Sequence, residues 1–254
     1  MKKNQFKLKK VAIIGAGTIG LYLGWKLSNL GHQVTIFEKK GKIGKETCSG
    51  LFSERILSLV PESQKIVRNE INSALIHFPN KTIKVKFSKK FLVMNHVELD
   101  KLLFDLASTA GTKIILQKPI NSLLDGFDRV IGCDGANSVV RKSLGLKEPV
   151  YRLGMQGFAA EENQTDPDGA SYVETWPINQ GFIWKIPRRE KIEYGIIAKP
   201  SLAKKFFEEF LKKNNIQVSR TSSALIPQGF LIPKHKAITL CGDAAGLTKP
   251  WSGG

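Results

Sequence analysis

Six residues near the start of this 254-residue chain, Gly15-Ala16-Gly17-Thr18-Ile19-Gly20, have the types and spacing that cradle a pyrophosphate. An apolar run from Lys10 to Gly15 precedes them, and helical spacing through Ile19, Leu23 and Leu27 follows. At such a strand-to-helix turn the first glycine permits the tight bend. The second lets the backbone approach the diphosphate, and the third lets the helix pack close to the strand. The N-terminus of the helix then directs its N–H groups at the anion. Glu38 ends the next expected strand about 20 residues on, where a carboxylate accepts hydrogen bonds from ribose hydroxyls. A glutamate there argues against a 2′-phosphate. It does not separate NAD from FAD.

Two later segments do. Val130-Ile131-Gly132-Cys133-Asp134-Gly135-Ala136-Asn137-Ser138-Val139-Val140-Arg141 resembles the Asp-Gly signature of the two-domain FAD enzymes that include p-hydroxybenzoate hydroxylase. Cys241-Gly242-Asp243-Ala244-Ala245-Gly246, continuing through Pro250 to Gly253-Gly254, resembles their Gly-Asp signature and the glycine loop that follows it. Within that group the chain resembles the geranylgeranyl reductase family from about Lys10 onward. Glu46-Thr47-Cys48-Ser49-Gly50-Leu51-Phe52-Ser53 is similar to the reductases' cysteine loop, and Gly181-Phe182-Ile183-Trp184-Lys185-Ile186-Pro187 to their aromatic substrate-cavity motif. Phe182 stands where the family has tyrosine, and Ile186 where it has phenylalanine. The same stretch also resembles the tryptophan motif of flavin-dependent halogenases.

The resemblance implies FAD held by Gly15, Ala16, Gly17, Thr18, Ile19, Gly20, Glu38, Lys39, Cys48, Ser49, Gly50, His96, Ile120, Asp134, Gly135, Gly242, Asp243, Pro250, Gly253 and Gly254. Asp243 would accept from a ribityl hydroxyl, and Gly253-Gly254 would approach the flavin edge. It implies a substrate wall of Phe182, Trp184, Pro187 and Trp251, with Cys48 as the catalytic candidate. A buried inert thiol at Cys48, a core role for Trp184 and a capping role for His96 compete with those assignments. The implied reaction is hydride transfer from reduced flavin to an isoprenoid double bond. The partner would be a prenyl lipid or polyprenyl phosphate, and the electron donor NAD(P)H or ferredoxin. A flavin monooxygenase or halogenase is the first alternative. The second is a non-catalytic flavin-binding fragment, because the resemblance places a helix beyond Gly254 and the chain therefore reads as incomplete at its C-terminus.

These residues need a frame of strands and helices to position them. The pattern predicts strands at Lys10–Gly15, Gln33–Glu38, Lys113–Leu116, Arg129–Cys133 and Ala237–Cys241, alternating with helices at Thr18–Leu30, His96–Ala110 and Ala136–Leu144. Gly31, Gly111 and Gly145 are the expected helix stops, and Asn95 the cap of the second helix. A further helix is predicted over Leu51–Val60, ended by Pro61. Ala74–Phe78 and Thr82–Phe87 read as a hairpin about Pro79-Asn80-Lys81, and Tyr151–Ala198 as antiparallel strands. Ser201 would cap an amphipathic helix to Lys213. The fold class is α/β: a Rossmann-type FAD-binding domain with a mostly parallel sheet, interrupted by an antiparallel β-rich substrate domain. The first comprises residues 1–72, 92–150 and 222–254, and the second 73–91 and 151–221.

Composition narrows the classes further. Hydrophobic residues at 42% and charged residues at 24% are ordinary for a globular chain. The formal charge of +17 is not, and it thickens at Lys2–Lys10 and Lys81–Lys90. Such a surface suits an anionic membrane or a phosphorylated substrate, although the favoured reading is a merely lysine-rich solvated surface. The basic runs lack the interleaved aromatics of a single-strand platform, which argues against nucleic acid. Three cysteines, Cys48, Cys133 and Cys241, have neither disulfide-framework nor metal-ligand spacing, so no metal is expected and a reducing cytoplasm fits. The apolar run Val11–Trp25 carries the glycine fingerprint and no cleavage site, so it reads as fold and not as a leader. The expected location is cytoplasmic, with peripheral attachment to the inner membrane face allowed.

Overall fold

The computed structural model describes residues 7–44, 47–160, 171–189 and 191–248. In chain order the first elements are β1 (Lys10–Ile14), α1 (Thr18–Asn29), β2 (Gln33–Phe37), β3 (Leu51–Ser53) and α2 (Ile56–Leu59). A 3-10 turn at Pro61–Ile66 leads into β4 (Val67–Phe78), β5 (Lys81–Met94), α3 (His96–Thr109), β6 (Lys113–Ile115), β7 (Arg129–Gly132) and α4 (Val139–Ser143). The remainder is β8 (Val150–Ala160), β9 (Ser171–Ile178), β10 (Gly181–Pro187), β11 (Lys191–Ala198), α5 (Pro200–Lys213), β12 (Ser219–Gln228) and β13 (Ile238–Leu240). A final 3-10 turn spans Gly242–Ala245.

The chain divides into two compact units. Among the described residues the first takes 7–44, 100–150 and 227–248; the second takes 47–99, 151–160, 171–189 and 191–226. The first unit holds a five-stranded parallel sheet in the order β13-β7-β1-β2-β6. β1 is apolar on both faces because it lies mid-sheet: Val11, Ala12, Ile13 and Ile14 are all buried. That continuous run is what a strand covered on both sides requires. One core cluster joins Ala12, Ile14, Val130, Val140, Ile238, Leu240, Ala244 and Ala245, with Ile120 packed against it.

The second unit is built on an eight-stranded sheet ordered β12-β8-β11-β10-β9-β4-β5-β3. β8–β11, β11–β10, β10–β9, β4–β5 and β5–β3 pair antiparallel, whereas β4 and β9 run parallel from Ile71 opposite Ser171 to Ile76 opposite Thr175. The sheet is therefore mixed, not wholly antiparallel as the turn pattern predicts. Phe207 and Ala203 of α5 pack with Ile183, Ile192, Tyr194 and Ile196 to form the core beneath β10 and β11.

Other sequence expectations are corrected. The helix predicted over Leu51–Val60 is strand β3 followed by the single turn α2, because Leu51–Ser53 pairs with Phe91–Val93 of β5. Pro61 opens the following 3-10 turn, where a missing N–H costs nothing. The hairpin strands are far longer than Ala74–Phe78 and Thr82–Phe87 and turn on Pro79-Asn80 alone, since Lys81 already pairs with Phe78. α4 starts at Val139, not Ala136, because Ser138 caps it by accepting from the Arg141 N–H at 3.0 Å. Lys199, not Ser201, occupies the cap position of α5, and Pro200 sets its first turn. β12 lies in a stretch to which the sequence pattern assigns no element. Asn95 does cap α3, its Oδ1 accepting from the Val97 N–H at 2.9 Å.

Candidate functional site

Within the first unit the three glycine signatures sit at the carboxyl ends of adjacent parallel strands. β1 ends at the Gly15 loop, β7 at Cys133-Asp134 and β13 at Cys241-Gly242-Asp243. Ligands of open α/β sheets bind at this edge. Gly15 has φ +102°, and a Cβ on it would stand 2.4 Å from the Cys133 carbonyl oxygen. A Cβ on Gly20 would stand 2.0 Å from the Gly15 carbonyl oxygen. The first and third glycines are thus fixed by packing inside the protein. Gly17 is different: a Cβ there would meet nothing within 4 Å. Gly135 likewise faces open space. Gly17 caps α1 without any side-chain acceptor, so the helix presents N–H groups and a positive partial charge toward that space.

The supporting polar groups are specific. Glu38 Oε2 accepts from the Ala16 N–H at 2.8 Å, and Oε1 from the Lys40 N–H at 2.9 Å. The carboxylate read as a ribose acceptor therefore also holds the glycine loop, and each oxygen keeps a second lone pair. Lys39 beside it is exposed. Thr18 Oγ1 donates to buried Asp100 at 2.6 Å, pinning the first turn of α1. Asp134 Oδ2 accepts from the Val139 and Val140 N–H groups at 2.6 and 3.2 Å. Its Oδ1 is buried with no hydrogen-bond partner. A buried lone carboxylate oxygen is costly, and a hydroxyl or N–H of a bound nucleotide would satisfy it. The donor set therefore fits a dinucleotide.

Arg141 was read only as the end of a motif, yet it organises the site. Its guanidinium is fully buried and donates to the carbonyls of Ala136 at 2.7 Å and Ala244 at 3.2 Å, and to Glu148 at 2.9 Å. One side chain thus joins the Asp-Gly loop to the Gly-Asp turn. Ile120 lies on the apolar core of this unit. Ile19 is exposed on the first turn of α1, and Gly242 and Gly246 adopt φ +59° and +68°. Pro250, Trp251, Gly253 and Gly254 lie outside the described residues.

In the second unit the cysteine loop and the aromatic motif come together through two residues that sequence reading missed. Arg188, directly after Pro187, donates to the carbonyls of Cys48, Ser49 and Met94 and forms an ion pair with Glu193. Glu193 is fully buried and also accepts from the Trp184 Nε1–H at 2.8 Å. Burial pushes the Glu193 carboxyl above its ordinary value, while Arg188 and Trp184 pull it back. The only sequence signal for either residue is a charge beside an apolar strand. Trp184 packs against the buried cluster of Ile71, Ala74, Val93, Val173 and Ile186. Phe182 is 6.0 Å from it between ring centroids, and Pro187 is buried. Gly50 brings the cysteine loop against the Met94 carbonyl, and the Cys48 thiol accepts from the Gly50 N–H at 3.5 Å.

A cavity of about 450 Å³ opens beside this network. Cys48, His96, Phe158, Arg68, Arg188, Arg189 and Lys191 are among its lining, which contains no carboxylate among the described residues. His96 opens α3 and its ring lies 6.1 Å from that of Phe52. Lys191 stands 4.1 Å from the centre of the Phe158 ring. The cavity is cationic at its polar end and aromatic beside it. No helix among the described residues is long and apolar enough to cross a membrane.

Residues 13–49 match the NAD(P)-binding Rossmann-like domain. The structure matches a geranylgeranyl bacteriochlorophyll reductase-like protein from Thermoplasma acidophilum with a TM-score of 0.84, over 97% of this chain and 74% of that one at 20% identity. The chain has the geranylgeranyl reductase-like fold. It is also 26% identical to digeranylgeranylglycerophospholipid reductase 2 of Methanopyrus kandleri, over 96% of this chain and 72% of that protein. The flavin-dependent halogenase CmlS matches at TM-score 0.73, over 96% of this chain and 55% of that one at 22% identity. The chain spans between 21% and 72% of the length of the curated relatives it matches. These likenesses agree with the family resemblance read from the motifs and with the Rossmann-type fold class.

Proposed function

We propose that the chain is an FAD-dependent oxidoreductase that saturates isoprenoid double bonds of a prenyl lipid. The observation that carries the dinucleotide part is the convergence of the Gly15, Asp134 and Gly242 turns on one sheet edge, with Asp134 Oδ1 buried and unsatisfied. The lipid-reductase relative supports the choice of reaction. When bound, FAD supplies the hydride chemistry.

The chain's own residues supply position and electrostatics. Gly17 and the first turn of α1 would take the pyrophosphate, Glu38 the adenosine ribose, and Asp134 and Asp243 the polar groups beyond it. Arg141 keeps the two turns at a fixed spacing. An isoprenoid alkene offers no oxygen for an acid to polarise, so alignment and exclusion of water govern the rate. Phe182, Phe158 and Trp184 provide apolar surface, while Arg68, Arg189 and Lys191 suit the charged headgroup of a phospholipid. The Cys48 loop is held rigid by Arg188, which favours a positioning role for that loop.

The test is direct. Purified protein is loaded with FAD, reduced anaerobically and given a geranylgeranyl glycerophospholipid; mass spectrometry should show hydrogen added across double bonds. A protein that binds FAD and leaves the lipid unsaturated would refute the reaction assigned. The halogenase-like reading rests on Trp184-Lys185-Ile186-Pro187 and the structural likeness to CmlS. It requires rapid oxygen uptake by the reduced protein and a halogenated or hydroxylated product.

A further inference from the structure

We propose that Cys133 and Cys241 form an oxidation-sensitive dithiol that closes to a disulfide across the ends of β7 and β13. Parallel pairing runs Ile238–Val130, Thr239–Ile131 and Leu240–Gly132. The Cys241 N–H then donates to the Gly132 carbonyl at 2.9 Å, carrying the ladder one step further. Cys241 and Cys133 are thus the next register neighbours. Adjacent strands lie ~4.8 Å apart, inside the roughly 4.4–6.8 Å separation of α-carbons that a disulfide spans. Neighbours in register also point to the same face of a sheet. Both thiols are free and partly exposed, and neither serves the dinucleotide contacts described above.

The proximity of Cys133 lowers the Cys241 pKa to about 7 even though burial opposes it. The same pairing, followed by burial and the nearby Asp134 carboxylate, raises Cys133 well above its ordinary value. Cys241 is thus the more acidic thiol and Cys133 the less acidic one, which is the arrangement of an attacking and a resolving thiol.

The oxidant class is a low-molecular-weight disulfide. The Cys241 thiolate attacks one sulfur of that disulfide, forming a mixed disulfide and releasing one thiolate. Cys133 then gives up its proton, its sulfur attacks Cys241, and the second small thiolate leaves. The two protein thiols lose two electrons in total, and the small disulfide is reduced to two thiols. The new bond would tie the Asp-Gly loop to the Gly-Asp turn beneath the β1 glycines, where the Cys133 Cβ lies 3.3 Å from the place a Gly20 Cβ would occupy. Nothing in this step requires the proposed reductase activity.

The folded protein is incubated with oxidised glutathione, digested without reduction and mapped by mass spectrometry. Two of the three thiols should disappear, a peptide linking Cys133 to Cys241 should form, and dithiothreitol should reverse both. The rate should rise as pH passes about 7, as the Cys241 thiolate forms. The thermal midpoint should rise too, because the bond closes a long loop of the unfolded chain. Cys48→Ala should leave the link intact, and Cys241→Ser should abolish it with the circular dichroism unchanged. Three thiols that stay reactive, separate glutathione adducts on each, or a link involving Cys48 would each overturn the proposal.

Discussion

The indole of Trp184 is hydrogen-bonded to a fully buried carboxylate, Glu193, at 2.8 Å across the β10–β11 pair. That same carboxylate pairs with Arg188, whose other bonds hold the backbone of Cys48 and Ser49. A residue placed by sequence on a substrate wall is therefore also a strut between an aromatic strand and the cysteine loop. Removing one member of a buried ion pair leaves the other charged and unpaired. Glu193→Gln should lower stability by about 3–5 kcal/mol in urea unfolding and speed alkylation of Cys48. Unchanged stability together with unchanged Cys48 reactivity would show that the strut carries no strain.

Gly17 and Gly20 should separate cofactor binding from folding. Gly17→Ala meets open space, so its thermal midpoint should match the parent. Its FAD dissociation constant should rise at least ~10-fold, or about 1.4 kcal/mol, if the pyrophosphate needs the bare backbone. Gly20→Ala collides with the Gly15 carbonyl and should lose stability and FAD together. Fluorescence titration and differential scanning calorimetry read the two effects apart.

Arg141→Lys tests the clamp between the two turns. Lysine keeps the charge and loses the fork that reaches Ala136 and Ala244 together. Buried carbonyls left without donors cost roughly 1–3 kcal/mol each, so the variant should unfold at lower denaturant and release FAD faster. A variant as stable as the parent, with the same FAD release rate, would mean the fork is dispensable.

Lys185 gives a pH dependence with a definite sign. Burial pushes its pKa down, but the Glu174 carboxylate 3.2 Å away and Tyr194 more than offset that, leaving it above the ordinary 10.5. A cation held more tightly in the folded state stabilises it fully below the unfolded value and ceases to do so as pH rises through the folded one. Parent and Lys185→Met should therefore differ most in stability below pH 10.5 and converge above the folded pKa. Denaturant midpoints across that range check it.

Much of the first unit could be read in advance because its signals are local. β1, α1 and β2 follow from an apolar run, a helical period and three glycines, and each needs only its own neighbours in sequence to be recognised. Leu51–Ser53 failed for the opposite reason: its helical spacing was overruled by pairing with Phe91–Val93, some forty residues away. β12 carries no clear strand signal because Ser219, Arg220, Thr221 and Ser223 are polar and exposed. At the site, Glu38 was singled out by its spacing from the glycines, and Asp134 by the resemblance of its segment to the Asp-Gly signature. Arg188, Glu193 and Asp100 were not, because a buried charge announces itself only through partners that the fold brings near.

The long hairpin leaves a consequence of its own. From Lys81 to Lys86, β5 pairs only with β4 among the described residues, because β3 reaches no further than Phe91. An open margin of that length is a template on which a second molecule would polymerise. Lys81, Lys84 and Lys86 stand along it, so any incoming copy would have to bring like charges together. Basic residues on such a margin oppose self-assembly, and threonine at those lysines should raise light scattering above that of the parent.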